Sequence, residues 1–165
     1  MEEQIMNMPA VALRGLTILP GMIAHFDISR ERSLRAVEEA MEQDQKIYLV
    51  TQRNVDSEDP TQEDLYQMGI VADIKQVVRL QNDVVRILVD GISRAALLGF
   101  TGNEKYLEAE ICYCDSNADS LPEDLREAML LGVREAFHRY AAVIGKISKE
   151  LIRQIDQYED LEKLI

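Results

Sequence analysis

Ile70-Val-Ala-Asp-Ile-Lys-Gln-Val-Val-Arg-Leu80 and Val84-Val-Arg-Ile-Leu-Val89 are two β-rich runs separated only by Gln81-Asn82-Asp83. Asn and Asp tolerate positive φ, so the stretch predicts two antiparallel strands joined by a tight hairpin. Downstream, Gly91 to Phe100 continues as a bent strand, with Gly91 and Gly99 placed where bulges or corners fit. Tyr106 to Tyr113 alternates, with Leu107, Ala109, Ile111 and Tyr113 on one face and Glu108 and Glu110 on the other. That is the pattern of a half-buried antiparallel strand. Repeated hairpins with bends predict a small, strongly curved antiparallel sheet or partial barrel.

Upstream, Val11 and Leu13 alternate with Ala12 and Arg14 as a short strand, and Pro20-Gly21 marks a turn. Ser29 is the expected N-cap of a helix running to about Gln43, with Leu34, Val37 and Met41 inward and Glu38, Glu39 and Glu42 outward. Lys46 to Gln52 reads as a core strand reached from that helix. Asp56 to Asp64 holds five acids and no base, with Pro60 inside it, and reads as a solvated loop. One helical turn over Glu63 to Gln67 precedes Gly69.

The character changes at Ser116, giving an expected division into a β-rich part, 1–115, and a helical part, 116–165. Ser120-Leu-Pro-Glu123 has the form of a capping box with Pro in the first turn. Leu121, Leu125, Met129, Val133, Phe137, Tyr140, Ala141 and Ile144 then recur at helical spacing up to Gly145. Ile147, Leu151, Ile155, Tyr158, Leu161 and Ile165 form a second such stripe. The stripe stops without a cap, which reads as a fragment whose last helix is completed elsewhere. The fold class is therefore α+β.

Composition narrows the function. The 165 residues are 47% hydrophobic and 29% charged, an ordinary soluble balance. Thirty acids against 18 bases give a net charge of −12, which repels a polyanion, so no nucleic-acid partner is expected. The longest apolar stretch, the six residues Ala95 to Phe100, falls short of the roughly 18 that a membrane span needs. No basic, apolar leader follows Met1-Glu2-Glu3. Cys112 and Cys114, two apart on a strand, point to opposite faces and read as buried reduced thiols, in keeping with a cytoplasmic setting.

Chemistry-bearing motifs are missing. Gly145-Lys146 is followed by Ile147 where a phosphate loop needs Ser or Thr, and no G-x-G-x-x-G or G-x-S-x-G occurs. His25 and His138 are the only histidines, with no metal-ligand spacing around them. His25, beside Phe26 after a turn, reads as a core or capping histidine. Ser148 and Lys149 are helix neighbours that do not face each other, so they make no dyad. No catalytic, cofactor-binding or metal residue is expected in this chain. A binding or scaffolding role remains. The loop residues Leu16, Ile18, Leu19 and Met22, with Tyr66 and Met68 ahead of Gly69, are candidates for an exposed patch that takes unfolded polypeptide. Leu151, Ile155 and Tyr158 are candidates for assembly contacts. The alternatives are a pure assembly element, or a small-ligand or RNA-binding barrel.

Several ordered motifs together resemble one family. Leu13-Arg14-Gly15, Leu19-Pro20-Gly21-Met22, His25-Phe26 and Arg30-Glu31 come first. Tyr48-Leu-Val-Thr-Gln52, Asp64-Leu-Tyr66-x-Met-Gly69, Val71-Ala-x-Ile-Lys-Gln76, Val85-Arg-x-Leu-Val-x-Gly91 and Arg94-Ala95 follow in order. This set resembles the N-terminal domain of the Lon protease family, closely over about residues 8 to 113. Ala12 stands where that family often has Pro. The resemblance implies a PUA-like pseudo-barrel with one helix, followed by a helical subdomain. It also implies a cytoplasmic, homo-hexameric, ATP-dependent serine protease as the parent. The AAA+ module, with its ATP and magnesium, and the Ser-Lys protease module would then lie outside this chain. The domain itself would engage unfolded or damaged proteins and support assembly.

Overall fold

The computed structural model describes residues 5–114 and 121–164. The chain divides into two compact units, Met1–Asp115 and Ser116–Ile165. In the first, six strands and one helix follow in the order β1 (Ile5–Leu13), β2 (Ile23–Ile28), α1 (Glu31–Glu42), β3 (Lys46–Thr51), β4 (Met68–Arg79), β5 (Val85–Phe100) and β6 (Glu108–Tyr113). The strands make one sheet in the order β2-β5-β4-β3-β1-β6, and a further β5–β6 pairing closes it. The result is a ring of five strands with β2 outside it, held against the first half of β5.

The hairpin is where the sequence puts it. Asn82 and Asp83 sit at φ 60° and 57°, between β4 and β5. Besides a break on β4 where Lys75 is skipped, two breaks in register curve the long β5: one where Ile92 is skipped opposite Val71/Ala72, the other between Leu97 and Gly99. Both lie at the glycines expected to carry corners. The sheet is mixed rather than wholly antiparallel, because β1 and β3 run parallel with α1 in the connection between them.

β1 also changes partner along its length. Ile5 to Pro9 pair with β6, and Ala10 to Leu13 pair with β3. Pro9 sits at that change, just before the β3 ladder begins at Ala10, where a missing N–H costs least.

Strand alternation sorts the apolar residues into two cores. Ala10, Ala12, Tyr48, Val50, Val71, Ala95, Ala109 and Ile111 fill the ring. Val11, Leu13, Ile47, Leu49, Ile70, Ala72 and Ile74 face the other way, against Ala36, Val37 and Ala40 of α1. β3 is thus covered on both faces, and its residues Ile47 to Val50 are all buried. Burying each such side chain contributes about 1.5–3 kcal/mol. Tyr48 is buried in the ring, where its hydroxyl donates to the Ala95 carbonyl at 3.1 Å. Burial pushes that phenol above its ordinary range. Gly69 makes room for it: a Cβ at this position would overlap the Tyr48 phenol and the Leu49 carbonyl.

Four expectations are corrected. Ser29 does not cap α1; the N-cap is Arg30, and no side chain caps this end. His25 is neither core nor cap, being exposed on β2, a strand absent from the sequence reading. The cysteines are not buried: Cys112 is half-buried, Cys114 is exposed, and they are not joined in a disulfide. Met41 is exposed, since α1 turns Ser33, Ala36, Val37 and Ala40 inward.

The second unit holds α2 (Glu123–Ile144), α3 (Lys149–Gln157) and α4 (Leu161–Leu164). α2 stops at Gly145, whose φ of 66° is the left-handed C-terminal conformation. α3 is capped by the Ser148 hydroxyl, which accepts from the Leu151 amide at 3.2 Å. The single second stripe expected from Ile147 onward is two helices, broken at Tyr158 to Asp160. Ser120 lies outside the described residues, but the expected capping box is not what starts α2: its N-cap is Pro122, with no side-chain cap. The α2 stripe is not a buried face within this unit: Leu130 and Ala141 are buried, whereas Leu125, Met129, Tyr140 and Ile144 are exposed.

Candidate functional site: a groove beside the Leu19–Met22 turn

The loop between β1 and β2 is held at several points. Gly15 and Gly21 take positive φ, and the Met22 amide donates to the Leu19 carbonyl at 3.1 Å. The Gly21 amide donates to the Gly91 carbonyl at 2.7 Å, and Gly91 approaches Leu19 so closely that a Cβ there would strike the Leu19 carbonyl. Thr51 Oγ1 donates to the Leu16 carbonyl at 2.8 Å. These ties drive neighbouring side chains in opposite directions. Ile18 is 5% exposed and packs in the core beside α1, while Leu19 is 45% exposed.

Opposite Leu19, the chain entering β4 presents Tyr66 and Met68, 49% and 48% exposed. The Tyr66 amide is fixed to the Thr51 carbonyl at 3.0 Å, and the Arg53 guanidinium lies 5.0 Å from the Tyr66 ring centroid. Arg53 Nε donates to the Leu65 carbonyl at 2.9 Å, so the stacked cation is itself anchored. Cys114 Sγ lies 3.8 Å from Met68 Sδ.

Together these residues border a groove of about 490 Å³. Ile18, Leu49 and Gly69 lie along it with Leu19, Tyr66 and Met68, and Arg53 and Arg94 bring two cations. Of the six candidate contact residues, the structure brings four together: Ile18, Leu19, Tyr66 and Met68. Ile18 belongs to the groove's interior rather than to an exposed patch. Leu16 does not join them, being half-buried against the α1 core, and neither does Met22, which is exposed beyond the turn. Neither Arg53 nor Arg94 is read from the sequence as a site residue, Arg94 entering only through the Arg94-Ala95 motif, since a lone Arg in a strand-rich stretch carries no site signal until the fold places it.

The groove offers apolar surface, a flexible thioether and an aromatic ring, which suits side chains of varied shape. Among the described residues, no group of three or more His, Cys, Asp or Glu is placed to hold a metal ion. In the helical unit, Leu151 and Tyr158 are exposed and Ile155 is half-buried. His138 Nε2 meets Asp156 Oδ1 at 2.8 Å there, tying α2 to α3.

The profile of the ATP-dependent protease La (LON) substrate-binding domain matches residues 7–165. The chain belongs to the Lon substrate-binding domain family. It is 37% identical, over its whole length, to a Lon protease of Lachnoclostridium phytofermentans, covering 20% of that protein. It is 35% identical to a Lon protease of Clostridioides difficile, with 96% of this chain and 21% of that one aligned. It thus spans about a fifth of the length of these curated relatives. Among solved structures, the N-terminal domain of Mycobacterium avium complex Lon protease superposes with a TM-score of 0.70 at 17% identity, covering 96% of this chain and 79% of that one. A Lon N-terminal domain protein from Xanthomonas campestris gives a TM-score of 0.56 at 14% identity, covering 96% and 94%. At such identities these two establish the fold alone. No helix among the described residues is long and apolar enough to cross a membrane.

Proposed function

We propose that this domain engages unfolded or damaged polypeptides for an ATP-dependent, Lon-type serine protease, using the groove of Leu19, Tyr66 and Met68. The supporting observation is that three large apolar side chains are held outward by fixed backbone, around one concave surface. In this reading the chain cuts nothing itself. ATP, magnesium and the Ser-Lys dyad belong to the AAA+ and protease modules of the same protein, working as a cytoplasmic homo-hexamer. Single-domain affinity is then weak, because six linked copies supply avidity. Titrating a reduced, unfolded protein while following amide NMR shifts tests this. Shifts should cluster at residues 17–19 and 66–69, and Leu19→Ser with Met68→Ser should weaken binding several-fold. Binding with no perturbation there would overturn the groove as the contact surface.

The exposed Leu151 and Tyr158, with the half-buried Ile155 between them in sequence, favour a second role in assembly. Sedimentation of wild type against Leu151→Asp and Ile155→Asp checks it. A chain that stays monomeric at high concentration removes self-association through this face.

A further inference from the structure

A second cavity, of about 180 Å³, lies on the other side of the Arg14–Leu16 bend, between the end of β1, the end of β2 and the start of α1. Its walls are apolar where Leu13, Leu16 and Phe26 line it, and polar where Arg14, Arg30, Ser29, Ser33 and Asp27 do, the Asp27 carboxylate being paired with Arg86.

Three features make the polar end a place for a negative charge. First, α1 begins there without a side-chain cap, leaving first-turn amides and the positive end of the helix dipole open. Second, Ser33 is only 4% exposed, lines the cavity, and has no hydrogen-bond partner for its hydroxyl among the described residues. Third, the Arg14 and Arg30 guanidinium groups converge on a single neutral acceptor, the Ser57 carbonyl, at 3.1 and 3.2 Å. Arg30 also donates to Gln52 Oε1 at 2.8 Å. Neither arginine has a carboxylate within ion-pair distance among the described residues; Asp59 of the adjoining acidic loop pairs with Arg32 instead. Burial, and then the neighbouring Arg14, lower the Arg30 pKa, against the smaller opposing pull of the Glu58 and Asp59 carboxylates.

The strand edges suggest what carries the charge. The Ala10 amide donates to Leu107 and the Leu13 carbonyl accepts from Gln52, so alternation turns the Ala12 amide and carbonyl away from β3, past the end of the β6 ladder at Pro9. Among the described residues β2 pairs only with β5, which leaves its outer edge unladdered there at His25 and Asp27. Free edges beside an apolar slot suit an extended chain. A cavity of about 150 Å³ holds a benzene ring, so the space here accommodates one aliphatic side chain beside a carboxylate.

We propose that this cavity binds the free C-terminal carboxylate of an extended polypeptide ending in an aliphatic residue, with Arg14, Arg30, Ser33 and the α1 amides as its anion site. The site is separate from the groove and does not depend on the groove's role.

The test uses the peptide Ser-Ala-Thr-Val-Leu, labelled at its N-terminus, as free acid and as C-terminal amide, titrated into the 165-residue chain by fluorescence anisotropy. The acid should bind about tenfold more tightly than the amide, in line with loss of a charge-assisted pair. Arg14→Gln and Arg30→Gln should each erase that ratio. Arg14→Gln guards against loop disruption, since Arg14 is exposed and makes only the Ser57 contact. Leu19→Ser and Met68→Ser should leave the ratio unchanged, which separates this site from the groove. Equal binding of acid and amide, survival of the ratio in Arg14→Gln, or displacement of the peptide by equimolar inorganic phosphate would each overturn the proposal.

Discussion

The β unit and the helical unit hold their apolar residues in opposite ways. In the first, strands covered on both faces leave Ile47, Tyr48, Ile87 and Ile111 with no exposure at all. In the second, Leu130, Ala141 and Leu161 are buried, while Leu125, Leu131, Tyr140 and Val143 face outward. Ladders between distant segments complete a core inside the β unit. Helices satisfy their backbone locally, and so keep their shape with an apolar face uncovered.

The largest effect should therefore fall on the β unit. Ile47→Ala deletes a fully buried side chain pinned between β3 and α1, and should cost about 2–5 kcal/mol. Val143→Ser, at a residue 87% exposed, should stay within about 0.5 kcal/mol. Urea unfolding read from amide NMR signals of each unit measures both. Equal losses would abolish the contrast. A smaller effect sharpens it from the other side: Ser148→Ala removes the α3 cap and should cost about 1 kcal/mol. Secondary chemical shifts over residues 149–157 should drift toward coil while the β signals stay fixed.

The smallest concerns pH. Asp27 accepts two hydrogen bonds from Arg86, at 2.7 and 2.9 Å, and this pairing lowers its pKa below 3.8. A lowered folded pKa contributes stability above the unfolded value, and that contribution is lost as pH falls through the folded one. The pair is solvated, so the gain is slight. The urea midpoint of wild type should exceed that of Asp27→Asn at neutral pH, and the two should converge in acid below about pH 3.8.

What could be read from the residues followed from local signals. The Asn82-Asp83 hairpin, the alternation of Tyr106 to Tyr113, the corners at Gly91 and Gly99 and the stop at Gly145 all depend on chemistry within a few residues. The parallel β1–β3 pair does not, since it depends on which distant segment each strand meets. β2 escaped because Ile-Ala-His-Phe-Asp-Ile is short and has two charged or polar residues on an edge. The inward turn of Ile18 and outward turn of Leu19 are set by Gly91 and Thr51, far away in sequence. Tyr66 and Met68 were legible as apolar residues next to a glycine. Their grouping with Leu19 was not.

β5 has one property with a wider consequence. Its 16 residues run from the β2 pairing into the closure with β6, lying against β4 from Val85 to Ala96. Any force that peels the outer ribbon therefore acts on the same backbone that seals the ring. The two halves share one mechanical fate, and a machine tugging on this domain would meet a single yield point instead of a graded series.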